Sequence, residues 1–337
     1  MFIGLTAALL AALLTSASVG QLGVPPWEVL GSLLGRLGVH GLPAPASPAA
    51  DAALWSIRFP RLVMALLVGA ALAVAGLLMQ AIFANPLAEP GAVGVSSGAA
   101  LGASAVIVFN LSFLGEWTSA LLGFAGGLAA TLLVYLVSRA SGRTEVVTLL
   151  LTGIAVNAVG GAGLALLTFL GDTQAREQIV FWQLGSLNGS RWDQVLVVLP
   201  LVAVGIAIAY GTARRLDLLS LGERTARHLG VDVERLRLGV ILLVALLVGA
   251  GVAFAGIIAF VGLVIPHLMR MVLGPAHLPL LAASALGGAL LLTVADLVAR
   301  TAVPMADLPI GVLTSLVGGP FFFWLLRRTR KRAGGWA

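Results

Sequence analysis

Residues 66–76 read LLVGAALAVAG and residues 246–256 read LLVGAGVAFAG. Eight of these eleven positions are identical at an offset of 180, and the same offset pairs Pro86 with Pro266. A matched proline beyond a matched block points to a common origin. Each block lies in an apolar run that reaches or approaches the ~20 residues needed to cross a bilayer as a helix. Working outward, spans are expected at 3–22, 62–83, 91–109, 117–137, 146–169, 194–213, 237–255, 257–273, 278–298 and 308–326. The second block then follows the first by five spans, an odd number, so the two cross in opposite directions. Inverted repeats of this kind are a feature of transporters, with the pathway between the halves. The expected fold class is all-α, a polytopic membrane protein of ten transmembrane helices with an inverted internal repeat. One permease domain covers 1–337, with half-repeats at roughly 58–170 and 237–328.

Composition agrees with a membrane setting. Only 10% of the 337 residues are charged and 59% are hydrophobic, whereas a soluble domain carries about a quarter charged residues. Cysteine is absent, which excludes disulfides, thiolate metal sites and cysteine nucleophiles. The net charge of +6 is assigned to orientation in the bilayer, not to nucleic acid, because basic residues favour cytoplasmic connections. With the spans above, fourteen of the 20 Lys and Arg fall on one set of connections and six on the other. Both termini are therefore expected inside. The first span is read as a retained helix and not a signal peptide, since no basic leader precedes it.

Between the second and third spans, residues 83–103 read FANPLAEPGAVGVSSGAALGA. Pro86 and Pro90 cannot continue a helix, and each disfavours helix in the residue before it, so 85–90 is expected to be a break. Irregular backbone at membrane depth is tolerated only within protein or along a water-filled cavity. Gly94, Gly98 and Gly102 follow at four-residue spacing, a stripe that lets another helix approach.

Residues 216–237 form the longest polar connection on the basic side, with amphipathic spacing around Gly222 and Gly230. Two short helices presenting an apolar stripe to a partner protein are expected there. Residues 171–192 mix charge with Phe181, Trp182 and Trp192, as expected at a headgroup boundary. The serine-nucleophile pattern G-x-S-x-G occurs at 94–98, but that motif needs a strand-to-helix turn; a protease using Ser96 and His267 is a minor alternative. The four histidines have no metal-ligand spacing. A P-loop requires a lysine, and the only lysine is Lys331 in the basic tail, so this chain is no P-loop ATPase. An ion-coupled secondary transporter would be expected to hold charge deep within spans. Glu89, Glu145, Asp296 and Asp307 instead fall at or near expected helix ends. A separate ATPase pressing on the cytoplasmic connection fits better, with the ion-coupled carrier as the alternative.

Six stretches together resemble a known family: RFPR at 58–61, NPLAEPGAVGVSSGA at 85–99, FWQLGSLNGSRW at 181–192, LGERTARHLG at 221–230, GLVIPHLMR at 262–270 and LPIGVLTSLVGGPFFFWLL at 308–326. From about residue 20 to 328 the chain resembles the FecCD or BtuC-like permease subunits of bacterial ABC importers for iron chelates, haem and vitamin B12. The resemblance implies a homodimer in the bacterial cytoplasmic membrane, two cytoplasmic ATPase subunits, and a periplasmic or lipid-anchored binding protein. No cofactor is then expected on this chain; ATP and Mg belong to the partner ATPase. Arg58, Arg61 and Arg300 match arginines that meet acidic residues of the binding protein, and the charge count places them outside as exposed charges. Leu221, Gly222, Glu223, Ala226 and Arg227, within 216–234, match the helices that couple to the ATPase. Asn85, before the Pro86–Pro90 break, matches an inner gate, and 141–148, with Thr144, a second one. Arg176 resembles an arginine position of haem permeases, where a cation could meet haem propionates. Haem is the favoured cargo, then a ferric siderophore, then cobalamin.

Overall fold

The computed structural model describes residues 1–39, 41–140, 143–303 and 306–332. In chain order the first helices are α1 (Phe2–Ser18), α2 (Pro26–Arg36), α3 (Pro48–Ala53), α4 (Phe59–Ile82), α5 (Val95–Phe109), α6 (Trp117–Val137) and α7 (Val146–Leu170). There follow α8 (Thr173–Leu184), α9 (Trp192–Leu219), α10 (Glu223–His228), α11 (Val233–Ala255), α12 (Val261–Leu273), α13 (His277–Thr301) and α14 (Ile310–Arg332). Ten of these overlap the ten expected spans. Among the described residues, six helical segments are long and apolar enough to cross a membrane, with shorter apolar stretches at Phe2–Ser18, Val95–Phe109, Val261–Leu273 and Ile310–Trp324. A π-helical turn, Leu54–Arg58, splices α3 onto α4, giving one continuous rod of 35 residues. The helices not expected, α2, α3 and α8, all lie in connections and are too short or too polar to register as spans. Local chemistry starts them: the Asp172 carboxylate accepts the Ala175 N–H at 2.8 Å to cap α8, and the Ser47 hydroxyl caps α3 through Ala50.

The architecture repeats one pattern, a long helix, a break and a short helix. The helix α4 leads through 83–94 into α5, and α11 leads through 256–260 into α12. Both short helices are entered through a left-handed residue, Gly94 at φ 79° and Phe260 at φ 68°. The two units run in opposite directions. Arg61 near the start of α4 meets Asp296 near the end of α13, so those helices are antiparallel. The start of α13, at His277, is bonded to Asp217 near the end of α9, and the short connection through α10 puts the start of α11 at that same end. Hence α4 and α11 oppose each other.

The matched sequence blocks do not coincide with this pattern in register. Residue 76 lies six residues before the end of α4, whereas residue 256 lies just past the end of α11. Pro86 sits in the first break and Pro266 inside α12, so the prolines are not structural counterparts. The two blocks also pack differently: Gly249 and Gly251 of the second meet the side chains of Phe124 and Val68, whereas Gly69 and Gly76 of the first pack on backbone. A Cβ on Gly76 would stand 1.8 Å from the Gly262 carbonyl oxygen, and one on Gly69 would stand 2.3 Å from that of Gly288. Small residues allow these backbone approaches, the usual means of helix association in lipid.

Helix α4 forms the centre, with 19 of its 24 residues buried against α9, α11, α12 and α13. At the other extreme, α7 buries only Leu149, Gly153 and Gly160, leaving Ile154, Val159 and Phe169 exposed. The expected glycine stripe is partly realised: Gly98 packs on Gly126 and Gly102 on Leu122 of α6, while Gly94 serves as the left-handed entry to α5. The serine-nucleophile pattern lies on α5 and is preceded by the 3-10 turn Pro90–Val93, not by a strand.

Candidate functional site

Polar side chains concentrate at three levels of the bundle. At the end where α4 begins, a cavity of about 420 Å³ is lined by Arg58, Arg61, Arg300, Asp296 and Asp307 among others. Arg61 Nε donates to Asp296 Oδ1 at 2.8 Å and its NH1 to Asp307 Oδ2 at 2.8 Å. Arg58 donates to the carbonyls of Ala17 and Leu22, and Arg300 to those of Ser16 and Val19. These carbonyls belong to the last turn of α1 and the chain just after it, where backbone acceptors lack helical partners and attract cations. The expectation of exposed arginines is therefore corrected. Arg58 and Arg61 are each 8% exposed, because one is drawn onto the end of α1 and the other between two carboxylates.

At mid-depth, the break after α4 is stitched to the rest of the bundle. Asn85 folds on itself, its side-chain oxygen accepting the Leu87 N–H at 2.9 Å. Glu89 Oε1 accepts the Phe260 N–H at 3.2 Å, and Gln80 Nε2 donates to the carbonyls of Gly262 and Leu263 at 3.4 and 3.3 Å. Glu89 thus joins the two breaks to each other, and Gln80 ties the end of α4 to the start of α12. From α7, Asn157 Nδ2 donates to the Gly91 carbonyl at 3.1 Å and its Oδ1 accepts from Ser97. Pro86 is exposed and Pro90 buried.

At the far end, the chain between α9 and α11 holds one six-residue helix, not two. Helix α9 runs on to Leu219 and α11 begins at Val233, while Gly222 at φ 103° and Gly230 at φ 84° end helical geometry on either side of α10. Ala226 anchors α10 in the core, whereas Leu221 and Leu229 stay exposed. Glu223 and Arg227 pair across one turn at 3.4 Å. Thr144 ends a two-residue ladder, Arg139–Ala140 with Arg143–Thr144, and is buried. Its N–H donates to Glu234 Oε2 at 3.0 Å and its carbonyl accepts from Arg237 NH1 at 2.8 Å. Residues 141 and 142 of the expected second gate lie outside the described residues.

The model of the FecCD transport family matches residues 8–328. The chain belongs to the FecCD transport family. A FecCD relative from Yersinia pestis, named a hemin transport system permease protein, is 46% identical over 84% of this chain and 85% of its own length. A vitamin B12 import system permease protein from Vibrio cholerae is 40% identical over 92% and 88% of the two chains. A solved structure described as a metal-chelate type ABC transporter, inward-facing, superposes with a TM-score of 0.85 at 34% identity, covering 97% of this chain and 98% of that one. The FecCD chain is thus a multi-pass membrane permease subunit of an ABC importer and no enzyme, which removes the ion-coupled carrier and the protease.

Within this FecCD permease, Arg176 is an exposed residue of α8. Its Nε and NH2 donate to the Thr168 and Phe169 carbonyls at 3.1 and 3.3 Å, closing the end of α7. The polar ties Asn157, Asp296 and Arg237 were not singled out as site residues from the sequence. A lone asparagine or aspartate inside an apolar span was the available signal; Arg237 was hidden among basic residues that mark a membrane boundary.

Proposed function

We propose that this permease imports an iron-containing chelate, haem in first place, a ferric siderophore next and cobalamin after it. It functions as a homodimer in the bacterial cytoplasmic membrane with both termini inside. Two cytoplasmic ATPase subunits carry ATP and Mg, and a periplasmic or lipid-anchored protein delivers the cargo. The fourteen-to-six distribution of basic residues supports that orientation. It puts the Arg58, Arg61 and Arg300 cavity outside and the α10 connection inside.

In this reading, acidic groups of the binding protein approach the cavity at Arg58, Arg61 and Arg300. Leu221, Gly222, Glu223 and Arg227 receive the ATPase, with the exposed Leu221 as the apolar contact, while Ala226, expected among these contacts from the sequence, is buried and instead seats α10 on the bundle. Asn85, Pro86 and Pro90 form a hinge at mid-depth and Thr144 a second gate. A guanidinium has five donor hydrogens, and Arg176 uses two of its three nitrogens on α7 carbonyls. Its remaining capacity, on an exposed surface, suits a haem propionate.

The likeness to the Yersinia pestis hemin permease carries the choice of haem. The test is uptake by proteoliposomes holding this chain, its ATPase and its binding protein, with haem, a ferric siderophore and cobalamin offered separately. Haem uptake that falls several-fold in Arg176→Ala is expected. Cobalamin uptake without haem uptake contradicts the assignment, and haem uptake equal to wild type removes Arg176 from it.

A further inference from the structure

Arg237 sits four residues into α11, beside a membrane boundary, where an arginine ordinarily reaches water. Its side chain is only 5% exposed. A guanidinium stays charged when buried and needs compensating partners, and three separate segments supply them. NH2 is bonded to Glu223 Oε1, on the first residue of α10. NH1 donates to the Thr144 carbonyl at 2.8 Å, at the entrance to α7. Glu234, one turn back on α11, lies 3.6 Å from NH1 and holds the Thr144 N–H with its other oxygen. Glu223 faces outward, with its side chain 44% exposed, whereas Thr144 is buried. One planar fork therefore bridges the surface helix to the start of the least buried long helix of the bundle.

We infer that Arg237 is a positioning residue that carries displacement of α10 to residue 144 and α7. The inference rests on the reading of 221–227 as the ATPase contact and deepens it by naming the strut. Two features suit a transmitting role. The fork addresses two partners at once through different nitrogens, so movement of Glu223 pulls directly on the Thr144 backbone, a linkage that the point charge of lysine cannot reproduce. The network is also not closed. Arg237 Nε and Thr144 Oγ1 are buried without a hydrogen-bond partner among the described residues. A fully paired cluster favours one arrangement; these open positions let the same residues re-pair when α10 shifts.

The test is uptake per ATP hydrolysed, in proteoliposomes containing the assembled complex with its ATPase and binding protein. Haem, a ferric siderophore and cobalamin are offered separately. Arg237→Met and Arg237→Lys are each expected to lower uptake per ATP about tenfold, and Glu223→Gln severalfold. A purely structural role would lower both rates together as complex is lost and leave the ratio unchanged; that result overturns the inference. Should Arg237→Met fail to assemble, Arg237→Lys decides, since it keeps the buried charge and loses only the fork. A wild-type complex that binds no ATPase, or hydrolyses ATP with no uptake of any cargo, overturns the functional reading and this inference with it. A wild-type complex that transports, beside variants with an unaltered ratio, overturns the inference alone.

Discussion

The two polar ends of the bundle use arginine in opposite ways. Around Arg58, Arg61 and Arg300, three cations meet two carboxylates, and the surplus charge is taken up by backbone carbonyls of 16–22. Every partner there is a membrane span or the chain tied to one. Around Arg237, the partners are a long helix, a short ladder and a six-residue helix. The first arrangement fastens α1, α4 and α13 into one body. The second connects a solvent-facing helix to α7, which has few buried contacts of its own. Buried charge pairs are a poor source of net stability, but breaking one strands its partner. Their placement therefore tells where the molecule is held fixed and where motion can be passed on.

The largest expected effect tests the fixed end. Arg61→Met leaves Asp296 buried and short of its main partner, at a cost of ~3–5 kcal/mol. Thermal denaturation in detergent should show a marked loss, and Arg61→Met with Asp296→Leu should recover much of it. A single variant that melts like wild type would break the comparison, because this end would then not be the clamp. A smaller effect concerns docking. Arg58→Glu with Arg300→Glu should weaken binding-protein affinity about tenfold, or ~1.4 kcal/mol, read by titration of the purified partner. Unchanged affinity would confine these arginines to holding α1. The smallest effect, a few-fold loss of uptake, is expected at the α10 end. Gly222 has φ 103° with open space around it, so Gly222→Ala meets no clash and only backbone strain of ~1–3 kcal/mol. Uptake should fall a few-fold with a smaller loss of melting temperature than Arg61→Met shows, and a loss as large would show α10 to be part of the clamp.

Much of the fold was legible because spans announce themselves by apolar length, and bilayer thickness fixes what that length means. The break at 85–90 was legible for a similar reason, since proline forbids helix whatever surrounds it. The register of the repeat was not. The identical blocks 66–76 and 246–256 lie at different heights on α4 and α11, and Gly69 and Gly76 pack on backbone where Gly249 and Gly251 meet the side chains of Phe124 and Val68. The connections were also misjudged, because α8 and α10 begin at single residues, Asp172 and Gly222, whose effect is local. For the site, charge counting put Arg58, Arg61 and Arg300 on one side of the bilayer, and the structure gathers them around one cavity, but the count could not show what they touch. Arg58 and Arg300 bind carbonyls, which every residue carries and no sequence pattern reveals. Arg237 and Thr144 lie 93 residues apart, and only the folded chain brings them together.

In the proposed function, this permease moves cargo only when an ATPase grips the end bearing α10. The most direct measurement is uptake of haem, a ferric siderophore and cobalamin by proteoliposomes with the chain alone, and then with its ATPase, binding protein and ATP. No concentrative uptake is expected from the chain alone, under any proton or sodium gradient, and uptake of one cargo is expected once the ATPase and ATP are present. Accumulation driven by an ion gradient with no ATPase in the membrane would contradict it.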